Sequence, residues 1–115
     1  MSSFRSDETQ QSLIDLHKYM TSNCLDTMIK KNNDYANPEH AKNPFANFDA
    51  SNVFGIHPVM GILLRVQDKL KRIESFVRNG DLSVKEESWM DSCEDVINYM
   101  VLIAGLLQRE SYADE

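Results

Sequence analysis

Apolar residues recur at three- and four-residue steps early in the chain: Leu13, Leu16, Met20, Cys24 and Met28, flanked by Ile14, Leu25 and Ile29. That spacing is the stripe of an amphipathic helix. It predicts a helix over residues 7–31, capped by Ser6 or Asp7. The period then stops. Residues 32–56 hold four Asn before Pro44, two more after it, and the breakers Pro38, Pro44 and Gly55. Loops of this length in compact domains tend to be functional or disordered. The density of Tyr35, Phe45, Phe48 and Phe54, with Val53 and Ile56, argues against disorder. The reading is an ordered loop over 32–57, packed on the helices.

Helical spacing returns at Pro58, a residue suited to a first turn because its missing N–H would be unpaired there. His57 then stands at the N-cap. Val59, Ile62, Leu63, Val66, Leu70, Ile73 and Val77 form the apolar face of a helix over 58–79, stopped at Asn79-Gly80. A third helix is predicted over 84–109. Ser83 with Glu86, or Ser88 with Asp91, fits the spacing of a capping box, and Ser88 is preferred for the regular part. From Val96 to Leu107 this helix is apolar almost all round, so it is expected to be buried centrally or in a subunit interface. Residues 1–6 and 110–115 read as frayed ends. The outcome is one all-α domain, 1–115, built as a bundle of three main helices.

Composition changes this picture in three ways. A chain of 115 residues buries a modest core, so pairing with copies of itself is expected to add stability. A net charge of −6 argues against a nucleic-acid partner, since general nucleic-acid binding depends on a basic surface. Cys24 and Cys93 have no metal-like spacing and lie among apolar neighbours. They read as free structural thiols in a reducing compartment, with one disulfide as the alternative. The start Met1-Ser2-Ser3-Phe4-Arg5 lacks an apolar core, and the longest apolar run is too short to span a bilayer. A cytoplasmic protein without a membrane partner is expected. The methionines read as core filler. His17, His40 and His57 share no ligand spacing.

Candidate chemistry lies on two charged stripes. Arg65, Asp68, Lys69 and Arg72 stand at i, i+3, i+4 and i+7, on a face read as opposite the apolar one. Gly61 lies one turn earlier on that face. It lowers helix propensity by about 1 kcal/mol, a cost that close approach of a ligand or backbone can justify. Asp91, Glu94, Asp95 and Asn98 repeat the same spacing on the third helix. Such stripes are ordinarily the wet side of a helix. Two of them beside an ordered polar loop bring a second reading level with that one: a site in which a hard divalent cation offsets the carboxylates.

Four segments then resemble one family in order and spacing. They are Lys31-Asn32-Asn33-Asp34-Tyr35; Asn43-Pro44-Phe45-Ala46-Asn47-Phe48; Gly61 to Arg65 running into Asp68, Lys69 and Arg72; and Asp91 with Asp95, Asn98 and Tyr99. Over residues 28–107 the chain resembles the nucleotide-modification-associated domain family of phages and bacteria. That family looks like a MazG-like branch, close to the MazZ type, of the all-α nucleoside triphosphate pyrophosphohydrolases. The resemblance implies a homodimer or homotetramer that cleaves a (d)NTP to the monophosphate and pyrophosphate with Mg²⁺, or Mn²⁺, in phage nucleotide-pool remodelling. Phage origin would place it in the host cytoplasm. A purine base is weakly favoured. The superfamily's usual acidic motif is thinned here, to Asp68 on one helix and Asp91, Glu94 and Asp95 on the next, which points to one metal.

The roles expected on this reading are as follows. Asp68, Asp91 and Asp95 hold the metal. Glu94 is a further ligand or the base that orients water, and Asp95 shares the catalytic work. Arg65, Lys69 and Arg72, with Lys31, offset the triphosphate charge. Asp34, Tyr35, Asn47 and Phe48 reach base and sugar from the loop, and Asn98 and Tyr99 complete the substrate site. The alternative is a non-catalytic helical module that binds a partner or its own copies, which the apolar run of the third helix supports equally.

Overall fold

The structure is a computed structural model, and it describes residues 6–34, 45–49, 54–80 and 88–113. These form four helices: α1 (Ser6–Asp34), the single turn α2 (Ala46–Asp49), α3 (Pro58–Asn79) and α4 (Trp89–Ala113). No strand occurs among the described residues. The three long helices make the expected all-α bundle.

The ends of α3 follow the sequence signals closely. His57 has an extended backbone, and its Nδ1 accepts the Val59 N–H at 3.1 Å, with Pro58 behind it at the first position. At the other end Gly80 adopts a left-handed φ of +64° and donates its N–H to the Phe76 carbonyl at 2.8 Å. Helix α4 opens with a reciprocal capping box. The Asp91 N–H donates to Ser88 Oγ at 3.0 Å, and the Ser88 N–H donates to Asp91 Oδ2 at 3.2 Å.

Helices α3 and α4 run antiparallel. His57 meets Glu110 at one end, Lys69 meets Asp95 midway, and Phe76 meets Trp89 at the other end, ring centroids 6.4 Å apart. Between them lies a small dry core of Ile62, Val66 and Leu106, flanked by Val59, Val96, Tyr99, Leu102, Ile103 and the two α2-segment rings Phe45 and Phe48. Full burial of such an aliphatic side chain contributes about 1.5–3 kcal/mol each. Helix α1 packs chiefly on α4 and, among the described residues, buries Cys24 deeply.

Several expectations need correction. Helix α1 extends to Asp34, so Lys31 and Asp34 belong to its last turn, where Lys31 complements the helix dipole. Helix α4 starts its regular part at Trp89 and continues to Ala113, because Glu110 finds a tertiary partner in His57. The expected start near residue 84 lies outside the described residues. Part of the expected loop is helical, as α2, and Phe54 and Ile56, expected to pack on the helices, are exposed. The stripe of α1 is largely uncovered: Leu13, Leu16, Leu25 and Ile29 are exposed, since α4 reaches only the side around Cys24. Met60 and Met100 are also exposed rather than core filler. No helix among the described residues is long and apolar enough to cross a membrane.

Candidate functional site at the α3–α4 seam

The two charged stripes do meet. Lys69 Nζ lies 2.9 Å from Asp95 Oδ2, and both side chains are largely sheltered, 17% and 30% exposed. The α3 stripe is therefore not opposite the core. It lies on the flank of α3 beside α4, with Lys69 turned into the seam and Arg65 one turn away on the α2 side. The guanidinium of Arg65 sits over the Phe48 ring, 5.2 Å from its centroid, a favourable cation–π placement. Arg72 lies one turn beyond Lys69, and Asp68 is exposed on the outer edge of the same flank.

The α4 stripe divides by partner. Asp95 faces α3. Glu94 and Asn98 face α1: Asn23 Nδ2 donates to Glu94 Oε2 at 3.1 Å, and Asn98 Nδ2 donates to the Cys24 carbonyl at 3.1 Å. The Cys24 thiol points back to the Glu94 carbonyl, Sγ–O 3.5 Å. Asp91 is engaged in the helix cap. Tyr99 packs against the dry core. Glu94, Asn98, Asp91 and Tyr99 thus hold the fold together in ways the stripe pattern does not reveal. The spacing of Asp91, Glu94, Asp95 and Asn98 gave them one face, but a central helix has two neighbours, and the face is shared between them.

Phe48 also departs from its expected place as a free stacking ring. It packs on the core, and its ring carries Arg65. Lys31 is exposed at the end of α1. Tyr35 and the side chains of Asp34 and Asn47 lie outside the described residues, as do Asn32 and Asn33 beyond their helical backbone. Two residues that the sequence reading passed over matter here. Arg109 donates to both Asp49 oxygens, at 3.2 and 2.8 Å, and stands 5.1 Å from the Phe45 centroid. Gly105 faces Phe45. Only the helical register, four residues from Gly105 to Arg109, hints at this pair.

The electrostatics follow the packing. Burial pushes the Cys24 thiol above its ordinary value, and the nearby Glu94 and Asp95 carboxylates push it further. The Asp49 hydrogen bonds hold Arg109 charged, above its ordinary value. Cys24 and Cys93 are both free thiols.

Among the described residues, no three acid, His or Cys side chains converge as a metal-binding group. The expected set of Asp68, Asp91, Glu94 and Asp95 is not brought together, because Asp91 caps α4 and Glu94 turns to α1. Mg²⁺, however, commonly takes one or two carboxylates and fills its octahedron with water and substrate phosphate. Of the four acids, Asp95 is the one that faces α3, and its carboxylate is paired there with Lys69. No family model, no curated protein and no solved structure matches this chain.

Proposed function

We propose that the α3–α4 seam binds a nucleoside triphosphate, with a purine base weakly favoured, and hydrolyses it to the monophosphate and pyrophosphate with Mg²⁺. The observation that carries this reading is the Lys69–Asp95 contact. It joins two charged stripes that the sequence alone could only list side by side. The four family-like segments support the substrate class.

In this reading Lys69, Arg65 and Arg72 take the negative charge of the phosphate chain; Lys69, sheltered in the seam, acts more strongly than a cation in open water, while Arg65 and Arg72 are exposed beside it. Asp95 would hold the metal and orient the attacking water. The metal supplies further charge neutralisation on the phosphates when bound. Water adds at the α-phosphorus as the bond to the bridging oxygen breaks, and pyrophosphate leaves carrying that oxygen. Glu94 and Asn98 act on the α1 side, as positioning groups for α4.

A homo-oligomer accompanies the proposal. Leu63, Leu70 and Val77 form an exposed line along α3, and Met100, Val101 and Leu107 are exposed on α4. A second copy is the partner that would cover them. The same surface favours the rival reading, a non-catalytic helical interaction module.

The test is to mix the purified protein with each dNTP and Mg²⁺, then follow monophosphate and pyrophosphate. Release of both in equal amounts supports the enzyme. No release with any nucleotide at high protein concentration overturns it. Thermal melts separate the rivals further, since a ligand that binds only the folded state raises the melting temperature. A rise that needs Mg²⁺ and dNTP together supports the enzyme, and no rise supports the module.

A further inference from the structure

Helix α2 is one turn long, and one turn cannot hold itself in water. Phe45 and Phe48 pack on the core, and three further contacts fix the turn. Phe45, just before it, lies against Gly105 of α4 so closely that a Cβ at Gly105 would stand 2.8 Å from Phe45 Cζ and 3.4 Å from Cε1. Arg109, one turn further along α4, covers the same ring from 5.1 Å and grips Asp49 with two hydrogen bonds. Phe48 then reaches the α3 flank, where Arg65 rests on its ring at 5.2 Å. Gly105 therefore has a purpose that its backbone does not require. It lies in the interior of a helix, where alanine would be preferred, and the absence of a side chain makes the seat for Phe45.

Resting on the nucleotide reading above, we propose that Gly105 and Arg109 are positioning residues: they fix α2 so that Phe48 sets the Arg65 guanidinium for a phosphate chain bound at Lys69. The route runs from Gly105 through Phe45 and α2 to Phe48 and Arg65. An unseated α2 leaves Arg65 with the many rotamers of an unrestrained side chain, whose ordering then opposes binding.

The test uses the full chain and three substitutions: Gly105→Ala, Phe45→Ala and Arg65→Met. Circular dichroism checks helicity, amide hydrogen exchange reads α2, and calorimetric titration with inorganic tripolyphosphate reads the site. Phe48 and Asp49 donate their N–H groups to the Phe45 carbonyl, both at 2.9 Å, so they report directly on α2. In Gly105→Ala, helicity is retained and those two amides exchange about tenfold faster, as a locally opened segment does. Tripolyphosphate binds about threefold to tenfold more weakly, the scale of a charge-assisted hydrogen bond made less often. Phe45→Ala gives the same pair of changes without touching α4. In the Arg65→Met background, Gly105→Ala still speeds exchange but no longer weakens binding.

Faster exchange with unchanged affinity in Gly105→Ala overturns the positioning role, and so does an equal further loss of affinity in the Arg65→Met background. Wild-type protein that binds no tripolyphosphate overturns the functional reading itself, while the exchange data still decide whether Gly105 seats Phe45.

Discussion

Helix α4 has two interfaces of opposite character. Toward α3 it is dry and aliphatic, with Ile62, Val66 and Leu106 almost fully buried and a cap at the start of each helix. Toward α1 it is polar, held by Asn23, Cys24, Glu94 and Asn98. The first kind of contact supplies most of the stability, because apolar burial is its dominant favourable term. The second adds little net free energy per hydrogen bond but fixes how the helices meet, since a shift in register would leave part-buried polar groups without these partners. Asp95 belongs to the first interface by direction and to the second by chemistry. It is a charged group on the α3 side, matched by Lys69.

The largest effect expected from this contrast is at Leu106, 1% exposed. Leu106→Ala should lower unfolding free energy by about 2–5 kcal/mol, the usual cost of a cavity at a buried leucine. Chemical denaturation measures it. A loss below 1 kcal/mol would mean that the α3–α4 core is not the main source of stability. Asn98→Ala removes one neutral side-chain hydrogen bond to a carbonyl, and should cost about 0.5–1.5 kcal/mol. If it costs as much as Leu106→Ala, the two interfaces do not differ as described.

His57→Ala should cost about 1 kcal/mol through loss of the α3 cap, while His57→Asn, which can still accept the Val59 N–H, retains most of it. The Asn variant also loses the contact with Glu110, so the difference between the two substitutions isolates the cap.

The smallest effect is a pH dependence from Cys24. Its thiol is raised above 9.0 in the folded protein, so the unfolded chain ionises first. The contribution to stability is whole below about pH 9 and declines as pH rises through the folded value. Cys24→Ser should flatten the alkaline limb of the stability curve. An unchanged limb would place the alkaline sensitivity elsewhere.

The same contrast explains what could be read from the chain. The α3–α4 hairpin was legible in detail, because its signals are local: Pro58 behind His57, Gly80 after Asn79, and the Ser88–Asp91 spacing each act within one turn. Apolar periodicity located the core of α3 at Ile62 and Val66, but it also assigned to that face Leu63, Leu70 and Val77, which are exposed. The same rule overstated α1, since period shows which side can be buried and not whether a neighbour covers it. Leu13 has the spacing of a core residue and is 65% exposed.

The site was legible as a set of residues but not as a geometry. Asp91, Glu94, Asp95 and Asn98 share one stripe, yet they answer to a cap, to α1, to α3 and to α1 again. Gly105 carried no signal of its own, because a glycine inside an apolar run reads as a weak helix position until the ring opposite is seen.

The central claim is that chemistry belongs to the α3-facing part of the α4 stripe. It is tested most directly by pyrophosphate release from a dNTP with Mg²⁺ in four variants: Asp95→Asn, Lys69→Met, Glu94→Gln and Asn98→Ala. The first two should lose roughly 100-fold or more, the scale of removing a group that stabilises charge in the transition state. The last two should stay within about tenfold of wild type, the loss expected from slight repositioning. If Glu94→Gln abolishes release while Asp95→Asn and Lys69→Met leave it intact, the site lies on the α1 side of α4 and the account is contradicted.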